Sequence, residues 1–60
     1  MNLRDAQATA RYYLKRTSRR DIKFYRVGAA WMTTTQTREE VQKLYKRPVS
    51  QFVDIEEMLK

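Results

Sequence analysis

The stretch Ile22-Lys23-Phe24-Tyr25-Arg26-Val27-Gly28-Ala29-Ala30-Trp31-Met32-Thr33 decides how this chain folds. β-Branched and aromatic residues fill both of its arms, and such residues favour extended backbone. Between the arms lies Gly28, the only glycine in the chain. As the first residue of a two-residue turn, it supplies the positive φ of a type II′ hairpin. That turn pairs Val27 with Ala30, Arg26 with Trp31, Tyr25 with Met32 and Phe24 with Thr33. The competing reading is one long strand bulged at Gly28; we take the hairpin. Side chains then alternate, with Ile22 and Phe24 on one face and Lys23 and Tyr25 on the other. If Ile22 and Phe24 face the core, Lys23 and Tyr25 face solvent. Arg26 is expected beside the Trp31 indole as a cation–π pair.

Upstream of the hairpin, residues 3 to 16 read as a helix. Leu3, Ala6, Ala10, Tyr13, Leu14 and Thr17 recur at helical spacing. Asn2 is placed to cap it, and Asp5 stands where a capping-box acid belongs. Arg4, Arg11 and Lys15 differ by seven and four positions, so they form one stripe on the opposite side. A polar break follows at residues 18–21.

Downstream, Thr37-Arg38-Glu39-Glu40 has the form of a capping box. Val41, Leu44 and Tyr45 make the apolar side of this second helix, and Pro48 stops it near Arg47. Residues 49–53 fit a short strand. Asp54 then caps a final turn over residues 55–59, with Glu57 in the box position. The order is α-β-β-α-(β)-α, an α+β domain with a short antiparallel sheet packed on helices. Residues 1–60 make one domain. The Leu3–Ala10–Leu14 face of the first helix is expected against Ile22, Phe24 and the Val41–Leu44 face.

Sixty residues bury a small core, which leaves a homodimer or a partner as sources of further stability. The chain has no cysteine and no histidine, which argues against disulfides and a structural zinc site. A hydrophobic fraction of 42% with one Gly and one Pro argues against disorder. No apolar run approaches the ~18 residues of a membrane span, and no secretory pattern opens the chain. A cytoplasmic location with no membrane partner is the expectation.

Enzyme chemistry lacks parts. There is no histidine base or cysteine nucleophile, and one glycine cannot build a glycine-rich phosphate loop. Ser18 and Ser50 have no partner motif. The acids at 39–40 and 54–57 occupy helix starts, and neighbouring helical positions point apart, so they make a poor metal site. No catalytic residue, cofactor or metal is expected.

Binding chemistry is better supplied. The net charge is +6, and residues 1–27 carry all of it, with eight basic residues against two acidic ones. Residues 28–60 hold five of each. Such asymmetry points to a polyanionic partner, either DNA or RNA or an acidic protein surface. The expected contact residues are Arg4, Arg11, Lys15, Arg16, Arg19, Arg20, Lys23, Tyr25 and Arg26, where cations meet phosphates and an aromatic face stacks on a base. The function expected is that of a small non-enzymatic nucleic-acid-binding regulator of phage or plasmid type. The alternative is an inhibitor or adaptor docking the same face on an acidic surface of a larger enzyme or nucleic-acid machine.

The segment from Phe24 through Trp31, with Glu39-Glu40-Val41-Gln42-Lys43-Leu44-Tyr45 behind it, resembles the wing and following helix of excisionase-type winged helix-turn-helix proteins. The resemblance spans residues 24–45. It implies that Arg26 and the turn at 28–30 lie near a DNA backbone. The family's two-helix reading unit has no counterpart before Ile22, where only one helix fits.

Overall fold

A computed structural model describes residues 1–17 and 19–60. Ser18, part of the expected polar break, lies outside the described residues. The elements run α1 (Leu3–Arg16), β1 (Lys23–Val27), β2 (Ala30–Thr34), α2 (Arg38–Gln42), β3 (Val49–Asp54) and α3 (Ile55–Met58). This is the α+β class.

The three strands form one antiparallel sheet in the order β2-β1-β3, so the first strand is central. The hairpin register is the one the turn dictates, with Phe24 opposite Thr33 and Val27 opposite Ala30. Gly28 has φ +62°, and no other described residue has positive φ, which fits a type II′ turn and excludes type I′. On the other side β1 pairs with β3 from Lys23–Asp54 to Val27–Val49. The register shifts between Arg26 and Val27, so Ser50 is the extra residue of a β-bulge.

Each helix start is capped as its residues require. The Asn2 side chain accepts from the Asp5 N–H at 2.8 Å. Thr37 and Glu40 exchange both bonds of a capping box. Asp54 accepts from the Glu57 N–H at 2.7 Å. These bonds satisfy amides that have no partner within the helix.

Both faces of the sheet are covered. Ile22, Phe24 and Trp31 pack with Ala6 and Ala10 of α1 and with Ile55 and Met58 of α3. The alternate positions Tyr25 and Val27 pack with Val41 of α2 and Val49, flanked by Met32, Tyr45 and Phe52. Four expectations change as a result. Tyr25 is buried, not exposed, because α2 and Tyr45 cover its face. The first helix meets α3 rather than Val41 and Leu44, which lie across the sheet. Leu3 and Leu14 are exposed, and Tyr13 packs inward in their place. Stepping four residues along a helix rotates the side chain by about 40°, so the line Ala6–Ala10 has left the interface by Leu14. Finally, α2 ends at Gln42, well short of Arg47, and Leu44 points into solvent.

Candidate functional site

The outward side of α1 is set by its inward side. Ala6 and Ala10 are fully buried, so Arg4, Arg11 and Lys15 project from the opposite side, and all three are exposed. Arg16 is exposed at the last turn. Asp5 is the single acid on the helix, and it sits in the first turn, where the helix dipole favours it.

The segment after α1 extends this surface. The Arg20 guanidinium donates to the Thr17 carbonyl at 3.2 Å and to the Arg19 carbonyl at 2.8 Å. It therefore closes the helix C-terminus, where a cation is favoured. Arg19 instead grips Asp21 in a two-point pair, Nε to Oδ1 at 3.1 Å and Nη2 to Oδ2 at 3.0 Å. The bond from Arg19 holds the Asp21 carboxyl below its ordinary range, helped by Asp21's own backbone and by the charges of Arg19 and Lys23; partial desolvation opposes this. Arg19–Asp21 is the only ion pair among the described residues. Arg4, Arg11, Lys15, Arg16 and Arg20 thus carry charge that no carboxylate within pairing distance offsets.

The strand residues divide. Lys23 is half-buried on the α2 side, opposite Thr34 and Asp54. Tyr25 is 6% exposed, and its hydroxyl lies 2.8 Å from that of Tyr45, with the Met32 sulfur near both. Burial, followed by the Tyr45 hydrogen bond, pushes the Tyr25 phenol up to about 12. Tyr25 is therefore part of the interior and offers no stacking face. Arg26 does pair with Trp31 in register, but its Nε donates to the Ser50 hydroxyl at 3.1 Å. The Trp31 ring is buried in the core beneath α1.

Sequence reasoning missed two arginines of the second half. Arg38 donates to the Val49 carbonyl at 2.8 Å. The Arg47 guanidinium lies against Gly28, where a Cβ would come within 3.0 Å of it. Gln42 fixes the intervening loop, accepting from the Val49 N–H at 2.7 Å and donating to the Arg47 carbonyl at 2.8 Å. The balanced charge of residues 28–60 hid these arginines, because composition sums charges that the fold separates.

No helix among the described residues is long and apolar enough to cross a membrane. No family model, curated protein or solved structure matches the chain.

Proposed function

We propose that this chain is a small nucleic-acid-binding regulator whose α1 outer face and adjoining Arg20 corner lie on the phosphate backbone. One observation carries the reading. Arg4, Arg11 and Lys15 form a single exposed stripe, flanked by Arg16 and Arg20, with no carboxylate paired to any of them among the described residues. A convex, one-sided cationic helix suits a phosphate ridge or a major groove about 12 Å wide. The stripe has Ala8 at its centre and no Asn or Gln, so it positions the protein more than it reads adenine edges. The long dimension of 34 Å limits one copy to about ten base pairs at a rise of about 3.4 Å each.

The test is binding to duplex DNA and to RNA across a salt series. About four to five neutralised phosphates give a log–log salt slope near −4. A binding constant indifferent to salt, or no binding to either polymer at low salt, removes the reading. Capture from a lysate, with and without nuclease, then separates it from docking on an acidic protein. A single protein retained after nuclease, with no nucleic acid bound, decides for the acidic partner.

A further inference from the structure

We propose that the hairpin end of the sheet is a second phosphate-contact surface, built by Arg26, Arg38 and Arg47. It rests on the nucleic-acid reading of α1 and adds a separate group of contacts to it.

All three guanidinium groups lie within one residue of the Val27–Val49 pair, two of them by hydrogen bonds. Arg26 adjoins Val27 and is tied to Ser50, which adjoins Val49. The tie is reciprocal, since the Ser50 hydroxyl donates to the Arg26 carbonyl at 3.2 Å. The β-bulge makes this possible by giving Ser50 no partner in the register. Arg38 reaches Val49 itself from α2. Arg47 lies over Gly28, the other neighbour of Val27, with three guanidinium atoms 3.0–3.2 Å from where a Cβ would stand.

The two bonding partners are neutral, a hydroxyl and a carbonyl, and Arg47 lies beside a glycine. No carboxylate pairs with any of the three among the described residues. Glu57 lines the groove beside Arg26 without pairing to it, so an external anion can supply the close counter-charge that the three guanidinium groups lack. Each guanidinium has five N–H donors in a planar fork. The anchoring bonds in hand use one donor of Arg26 and one of Arg38, leaving others for the two-point geometry that phosphate oxygens accept. Arg26 and Arg38, held by these bonds, also lose less freedom on binding than free side chains.

This end of the sheet adjoins the start of the α1 stripe. Leu3 and Gln7 of the first α1 turns line the same open groove as Arg26 and Ala29. A strand that follows Lys15, Arg11 and Arg4 toward the helix N-terminus therefore arrives at the hairpin end.

The experiment compares two double variants of the full chain on one duplex DNA oligonucleotide across a salt series. R26Q/R47Q is expected to weaken binding about tenfold or more at low salt. It should also flatten the log–log salt slope by about 1.8, two contacts' worth. R11Q/K15Q should flatten it by a similar amount. Should R26Q/R47Q fail to fold through loss of the Ser50 tie, R47Q alone decides, with an expected flattening of about 0.9. In the parent chain, adding the duplex should shift the Gly28 and Ser50 amide resonances. Unchanged affinity and slope in the hairpin-end variant, with R11Q/K15Q weakened, overturns the second surface and leaves the α1 reading standing. No binding by the parent at low salt overturns both.

Discussion

The two faces of the sheet are insulated by different chemistry. On the α1/α3 side, Phe24, Ile22 and Trp31 meet two alanines, an isoleucine and a methionine, with no polar side chain among the buried residues. The alanines let α1 approach closely, so a 14-residue helix covers much of that face. On the α2 side, a five-residue helix contributes one buried valine, and Tyr45 from the loop beyond it completes the cover. There two phenol hydroxyls and a thioether sulfur lie inside the packing and satisfy one another. The first face is held by apolar burial, which has no direction, and only its margin is tied, by the two Met1–Trp31 backbone bonds. The second adds directional bonds, which cost little while paired and much when one partner is lost. A short helix suffices on the second face because Arg38 donates to the Val49 carbonyl and Gln42 accepts from the Val49 N–H, which pins it to the start of β3.

The largest expected contrast comes from β1 neighbours that point to opposite faces. Phe24 is 0% exposed, and Phe24→Ala should cost about 3–5 kcal/mol. That is comparable to the whole stability expected of 60 residues at about 0.05–0.15 kcal/mol each. Tyr25→Phe keeps the ring and removes one hydroxyl, for about 1 kcal/mol. Urea titrations followed by circular dichroism should leave the first variant largely unfolded in buffer and only shift the midpoint of the second. Comparable midpoints would mean that the two faces are not packed as described.

A smaller effect distinguishes the two sides of α1. Ala10 faces the core with no exposed surface, and Ala10→Leu should cost about 1–3 kcal/mol by overpacking. Leu14 is 38% exposed, and Leu14→Ala should stay within about 1 kcal/mol. Thermal melts of both variants read this out. The opposite order would place α1 in the rotation that simple apolar counting suggests.

That inversion marks the boundary of what the sequence disclosed. The hairpin was legible because its determinant is local: only glycine takes the turn's φ easily, and one turn type fixes every pair that follows. The capped starts of α2 and α3 were legible for the same reason. Leu14 and Tyr13 could not be ranked, since both are apolar and lie on adjacent edges of one helical face. Alternation alone leaves Tyr25 on an open sheet face, whereas the loop after α2 folds back over it. Leu44 followed the helical spacing of Val41, but the helix ends before that spacing applies. The α1 stripe was visible from intervals of seven and four, a periodic signal. The Arg26–Arg38–Arg47 group had no such signal, because a bulge, a turn and a loop assemble it.

The smallest and most specific contrast lies in the Tyr25 phenol. Its proton is held to about 12 because burial penalises the anion and Tyr45 is hydrogen-bonded to the neutral hydroxyl. In the unfolded chain the same group titrates at 10.0. The folded state therefore binds this proton more tightly than the unfolded state. The corresponding stability is complete below pH 10 and is lost as pH rises from there toward about 12. Absorbance of tyrosinate during a base titration should show one of the four tyrosines ionising late, together with loss of the folded signal. In Tyr25→Phe the late step should vanish and the alkaline decline in stability should be shallower. The α1/α3 face places no tyrosine hydroxyl in its fully buried cluster, so Phe24 and Trp31 should contribute nothing to this pH dependence. A late step that persists in Tyr25→Phe would assign the buried phenol elsewhere and remove the chemical distinction between the two faces.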